Sequence, residues 1–319
     1  MSMLKRKKLT NNGSSVVVLL IVGVVVAVAL SYLYLSRRSN QVTTNVSSTS
    51  KAVNTPEVAN IVATDLSKLP LGDNKYSTSS ASKGFIYSCL KVGGGGGAFK
   101  DGPWINTANG TWSKKDKNVT VDGSVSWSNA SFSIKESGSK RELSGNGLPI
   151  NNVTGVYPVS KSDDAYNYDR NPNSIQAQKV LKSIPLNPNY SEKPGCLNMG
   201  AVGYSLNGVA IFNALDGEGR DAAAHEILDV CGGHPERTGQ YHYHDYSECM
   251  SEKSSEPKLI GYMLDGFGLY KYPINPTNNE LDECHGKTSE VMWNGSKQSI
   301  YHYVITDAYP YTIGCYRGK

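Results

Sequence analysis

The chain has 319 residues, 39% of them hydrophobic, with 32 basic and 28 acidic side chains, enough for one large domain with appendages. The charge is unevenly spread: residues 201–319 hold 16 acidic and 9 basic residues, while residues 1–200 hold 12 and 23. A net-negative C-terminal part excludes nucleic acid as the expected partner and favours cations.

The first expected element is a membrane span. Lys5, Arg6, Lys7 and Lys8 precede an apolar run over residues 16–35, long enough to cross a hydrocarbon core of ~30 Å. The basic flank sets residues 1–15 in the cytoplasm and the rest outside, as a single-pass signal anchor in the cell membrane. Secretion after cleavage is the alternative, because Ala27-Val28-Ala29 has the small-x-small form. Residues 36–82, rich in Ser, Thr, Asn and Lys, read as a flexible stalk.

Residues 83–194 read as the β-rich N-terminal part of an ectodomain. The run Gly93 to Gly97 predicts a wide loop or a close backbone approach; no Lys-Ser or Lys-Thr follows, so a phosphate-binding loop is a poor reading. Val119–Val121 and Val125–Ser128 flank Asp122-Gly123 and predict a hairpin. Helical patterns are few and short, over Ser174–Lys182 and Arg220–Leu228. The expected fold class is therefore mainly β with a few short helices. Asn-x-Ser/Thr sequons at Asn109, Asn118, Asn129, Asn152 and Asn294 matter only in a eukaryotic secretory pathway.

Residues 195–319 contain an internal duplication. Gly203-Tyr204-Ser205-Leu206-Asn207-Gly208-Val209-Ala210-Ile211-Phe212 aligns without gaps on Gly261-Tyr262-Met263-Leu264-Asp265-Gly266-Phe267-Gly268-Leu269-Tyr270. Leu228-Asp229-Val230-Cys231 then matches Leu281-Asp282-Glu283-Cys284, and Tyr241-His242-Tyr243 matches Tyr301-His302-Tyr303. Two pseudo-symmetric β units stapled by disulfides are expected, with a dyad bringing the two Tyr-His-Tyr strands near one another. Six cysteines without a CxxC pair suit three disulfides in an oxidising compartment. The repeat suggests Cys231–Cys249 and Cys284–Cys315, leaving Cys89 for Cys196.

All six histidines lie between positions 225 and 302. On a strand His242 and His244 face one side, about 6.5–7 Å apart, and can converge on one ion. Tyr241 and Tyr243 then face the core. The Pro-Glu-Arg-Thr-Gly turn returns His234 as a third nitrogen, and His302 of the second copy is a fourth candidate. Val304 stands where His244 stands in the first copy, so one asymmetric site is expected rather than two. The ion is divalent or copper, of the kinds imidazole favours. Asp229, Asp265 and Asp282 are the candidate acidic partners that would fix a ring tautomer, with His225 and Glu226 nearby. His225-Glu226 lacks a histidine four residues on, so a zinc-protease HExxH helix is excluded.

Tyr241-His242-Tyr243-His244, preceded by Asp229-Val230-Cys231-Gly232-Gly233-His234-Pro235 and followed by the Gly261–Phe267 and Leu281–Cys284 motifs, resembles the YHYH-domain family over about residues 155–319. The resemblance implies export and brings no activity with it. Three readings stand: a copper- or zinc-binding surface domain; a hydrolase of an envelope polymer, metal-dependent or using a histidine–carboxylate pair, with Asp265 or Glu226 as base; and an adhesion or carbohydrate-binding module with structural histidines and a tyrosine contact surface. No nucleophile elbow or paired-carboxylate pattern names a catalytic residue.

Overall fold

The computed structural model describes residues 64–319. The cytoplasmic segment 1–15, the anchor 16–35 and most of the stalk lie outside the described residues. Among the described residues no helix is long and apolar enough to cross a membrane. The stalk expected over 36–82 overlaps the folded body. Leu69 and Leu71 are buried in the main core, and Leu69–Pro70 pairs with the Thr111–Trp112 strand. Two leucines within a polar stretch were enough to seat it.

The described residues are mainly strand, with one short α-helix and two 3-10 turns among them. An eight-stranded sheet organises the C-terminal half. Its strands are β1 (Ala201–Ser205), β2 (Ala210–Phe212), β3 (Gly233–Pro235), β4 (Tyr241–Tyr243), β5 (Lys258–Met263), β6 (Gly268–Lys271), β7 (Gly286–Trp293) and β8 (Ser296–Ile305). They lie in the order β3-β4-β2-β1-β5-β6-β8-β7.

That order is the duplication made visible. Within each copy the first two strands form an antiparallel hairpin, the second pairs in parallel with the Tyr-His-Tyr strand, and the remaining strand pairs antiparallel outside it. Asn207-Gly208 and Asp265-Gly266 make the hairpin turns, with both glycines at positive φ as tight turns require. The copies meet at β1 and β5, where Tyr204 lies opposite its own counterpart Tyr262. A pseudo-twofold axis therefore passes through that pair. Equivalent residues repeat small details: Gly232 has φ 70° and its counterpart His285 has φ 69°.

The axis corrects one expectation. It runs between the first strands of the copies, so β4 and β8 are held five strand spacings apart, ~24 Å across the sheet. The two Tyr-His-Tyr strands do not meet.

Both faces of the sheet are covered. On one side Ile211, Tyr241, Tyr243, Leu269 and Tyr303 join Leu69, Ile86, Trp104 and Trp112 in a single large core. Residues 83–194 and 195–319 thus share one hydrophobic interior. On the other side Tyr204, Ala210 and Phe212 pack on Leu143, Val180 and Ile184 of a three-stranded antiparallel sheet built from Phe132–Ser137, Lys140–Gly145 and Val180–Pro185.

Three local expectations differ from the structure. Val119–Ser128 is no hairpin: Val121 bridges to Asp229, and Val125–Ser126 pairs with Val153–Thr154. Ser174–Lys182 is not helical, because Gln176 and Gln178 donate their amides to Gly239 and Asn146 and the chain then enters the Val180–Pro185 strand. Arg220–Leu228 shrinks to one turn, α1 (Ala222–His225). Ile227, buried in the core, gives its amide to Asp169, and Leu228 accepts from Val121, so the chain leaves the helix at Glu226. In each case long-range pairing outweighs a weak local preference.

The three disulfides are Cys89–Cys196, Cys231–Cys249 and Cys284–Cys315, as the repeat suggested. Cys231–Cys249 closes the loop that carries β3 and β4. Replacing both cysteines by serine is expected to lower stability by roughly 3 kcal/mol. Urea unfolding of the variant beside the parent checks this; unchanged midpoints would show that the bridge constrains nothing.

Candidate metal centre

Alternation along β4 sets the site. Tyr241 and Tyr243 point into the large core. Tyr241 donates to the buried Asp229 carboxylate at 2.8 and 2.9 Å, and Tyr243 accepts from the Asn207 amide at 3.0 Å. His242 and His244 point the other way. The antiparallel β3–β4 hairpin puts His234 directly opposite His242. Ligand nitrogens of His234, His242 and His244 all lie within 4.8 Å of one another, and all three rings are buried.

Backbone carbonyls fix two of the tautomers. His242 Nδ1 stands 3.0 Å from the Gln240 carbonyl and His244 Nδ1 stands 2.6 Å from the Asn213 carbonyl. A carbonyl only accepts, so each Nδ1 carries the proton and each Nε2 presents a lone pair. The two Nε2 atoms face one another at 3.0 Å. Two lone pairs at that distance repel unless a cation lies between them. Phe212 stacks on the His242 ring with centroids 3.7 Å apart and holds its plane. His234 is looser: its Nδ1 is 3.4 Å from the Asn171 amide, and its Nε2 has no hydrogen-bond partner.

Glu226 completes the cluster. Its Oε2 is 3.3 Å from His234 Nε2 and 3.6 Å from His244 Nε2, yet it too is buried without a hydrogen-bond partner. Helix α1 aims it. Asp221 caps the first turn by accepting from the Ala224 amide, and Lys117 donates to the carbonyls of Ala223 and Glu226 at the other end. Burial, reinforced by the carboxylates of Asp169 and Asp216, pushes the Glu226 carboxyl well above its ordinary range. Burial also holds all three imidazoles below theirs, and for His234 and His242 the neighbouring rings add to the effect. The site as built favours neutral imidazoles ready to donate lone pairs.

The remaining candidates are placed elsewhere. His302 lies in the second copy, where its Nδ1 faces the Ile300 carbonyl at 2.9 Å and its Nε2 faces the Tyr272 hydroxyl at 2.8 Å. Opposite it stands Lys287, in the position of His234. With Val304 in place of His244, the second copy keeps the frame and one of three imidazoles. Asp229, Asp265 and Asp282 do not orient histidines. They accept from Tyr241, Tyr303 and Tyr301 in the tyrosine core, and also from backbone amides. They lie in loops and turns behind the sheet face to which alternation sends the tyrosines. His225 turns from the triad and is gripped by Asp73 at 2.9 Å and Asp101 at 3.0 Å. Burial opposes its charge, but the two carboxylates raise its pKa overall.

The triad opens into a cleft of about 820 Å³, walled by the Gly95–Gly97 loop, the 169–173 segment and the β3–β4 turn. The glycines serve close approach: a Cβ on Gly97 would collide with the Asp216 carboxylate, and one on Gly217 would press on the Gly95 carbonyl. Asn171, Asn173 and the glycine loop carry no periodic or spacing signal that points to the histidines. The 73 positions separating Asn171 from His244, and the 147 separating Gly97 from it, are bridged only by the folded chain.

No curated protein and no solved structure matches the chain. A family model described as YHYH protein matches residues 182–280, which span the whole first copy with its histidine triad and stop before the second copy's cysteine motif. The triad, the tyrosine pair behind it and that match together show that the chain carries a YHYH domain over residues 182–280.

Proposed function

We propose that the domain is an exported transition-metal-binding module, with His234, His242 and His244 as ligands of a single zinc or copper ion and Glu226 beside them. One observation carries the reading. His242 and His244 hold their Nδ1 protons against backbone carbonyls, so their Nε2 lone pairs are forced together at 3.0 Å. Ligands of a tetrahedral ion at ~2.1 Å stand ~3.4 Å apart, a spacing these rings reach with a small outward tilt. The unpartnered Glu226 Oε2 and His234 Nε2 add two more donors at the same place. Export draws support from the three disulfides, which suit an oxidising compartment. A membrane anchor at residues 16–35 remains part of the proposal on the strength of the apolar run alone.

The hydrolytic version of this reading is favoured by the cleft. A structural zinc site is closed by four protein ligands, whereas a catalytic one keeps an open position. Here the three histidines line an open cleft, and Glu226, not Asp265, is the carboxylate within reach of them. The contact-surface reading is weakened, since Tyr204, Tyr241, Tyr243, Tyr270, Tyr301, Tyr303, Tyr309 and Tyr311 are buried, while Tyr190 stays exposed.

Elemental analysis tests the proposal. The purified chain, dialysed against metal-free buffer and offered equimolar zinc or copper, should retain one equivalent of ion. A chain that retains neither ion would sink it.

A further inference from the structure

The walls of the cleft say what it admits. Phe99 and Arg170 form one side of the entrance. The amides of Phe99 and Lys100 donate to the Tyr168 carbonyl at 2.7 and 3.0 Å, tying the end of the glycine loop to the 168–173 segment. The Arg170 guanidinium then lies 3.4 Å from the Phe99 ring centroid and 5.1 Å from that of Tyr166. Stacking fixes the plane of the guanidinium while leaving its N–H edge free. Among the described residues no carboxylate forms a salt bridge with Arg170 or with Arg237, the second guanidinium on the wall. Two of the acids lining the cleft are already engaged: Asp216 holds Arg220 at 2.9 Å, and Asp169 accepts from the Ile227 amide.

Arg170 is also close to the triad along the chain. The next residue, Asn171, touches the His234 ring and donates to the Pro235 carbonyl at 2.9 Å. Met199, Phe212, Leu215 and Pro172 give the cleft an apolar wall beside the guanidiniums and the histidines. A cavity of this size suits a small organic molecule.

Resting on the metal centre proposed above, we propose that the cleft binds a small amphiphilic oxyanion: an apolar or aromatic body along Phe212 and Met199, a carboxylate or phosphate head on Arg170, and its other end at the ion held by the triad. A planar guanidinium fixed by stacking matches the two-oxygen edge of either head group. An uncharged analogue of the same shape would leave that guanidinium without its acceptor.

The experiment uses the full chain loaded with Co(II) in place of the native ion, followed by its visible absorption. 4-Hydroxyphenyl phosphate and 4-hydroxybenzoate, each with a second oxygen to offer the ion, are the anionic probes, and benzyl alcohol is the neutral one. Saturable perturbation of the cobalt band by at least one anion, with benzyl alcohol much weaker, is expected. In Arg170→Gln the affinity for that anion should fall roughly ten- to hundredfold; because Arg170 is exposed, this change leaves the core untouched. A cobalt band that neither anion perturbs overturns the oxyanion proposal alone. So does equal response to benzyl alcohol, or unchanged affinity in Arg170→Gln. Absence of any cobalt band overturns the metal centre and this proposal with it.

Discussion

Changing His242 or His244 to alanine should weaken metal binding by roughly 10²–10³-fold each, and changing both should abolish it. The size follows from the total. A four-ligand zinc site in a small domain binds with ~10–16 kcal/mol, so each ligand accounts for ~3–4 kcal/mol. Competition against a chromophoric chelator reads this directly. His302→Ala is the matched control: it removes the equivalent imidazole of the second copy, ~24 Å away across the sheet, and should leave affinity unchanged. Stability gives an independent readout. Zinc at a hundredfold excess over its Kd should stabilise the parent by ~2.7 kcal/mol and the double variant not at all. In chelator the balance shifts, because the parent keeps two facing lone pairs at 3.0 Å that the variant lacks. The variant's loss of packing against Phe212 is then partly offset by relief of that repulsion. Equal metal affinity in parent and double variant would show that the triad is a structural cluster.

Much of this site was legible before any fold was known, and the reason is local. His242 and His244 share a face because a strand alternates, and His234 returns because a short turn joins two strands. Both facts act over a dozen residues. The disulfide pairing was legible because the repeat supplied a ruler. What failed were inferences that needed the position of one element against another. A repeat implies a dyad but not where the dyad passes, and the choice of β1 and β5 as the meeting strands removed His302 from the site. The acidic partners were misplaced for a related reason. Asp229, Asp265 and Asp282 are conspicuous beside the motifs, but their loops hold them behind the tyrosine face, and Glu226 arrives instead from a helix one turn long. Asn171, Arg170 and the glycine loop belong to the cleft purely through tertiary packing.

The metal-free protein should lose stability in acid through histidines that the site does not use. His285 is buried and uncharged, with burial pushing its pKa down to about 3. His302 is likewise pushed down to about 4 by burial, against a partly compensating bond to the Ile300 carbonyl. In the unfolded chain both titrate near ~6.5. Between ~6.5 and these depressed values the unfolded state binds more protons, so stability falls as pH falls. Each unit is worth ~1.4 kcal/mol, so each ring should remove roughly 3 kcal/mol by pH 4. Carboxyls work in the opposite sense. Asp221, raised to about 6 by burial, binds its proton more readily when folded, and so stabilises as pH falls from about 6 towards its unfolded value. A single stability curve therefore mixes both signs. The difference between the parent and a His285→Asn, His302→Gln variant removes the carboxyls, which are common to the two. Asparagine suits position 285 because it tolerates the φ of 69° found there. With chelator present, urea unfolding from pH 7 to pH 4 should show the parent losing roughly 6 kcal/mol more than the variant. Parallel curves would mean that these two imidazoles accept protons in the folded state as freely as in water.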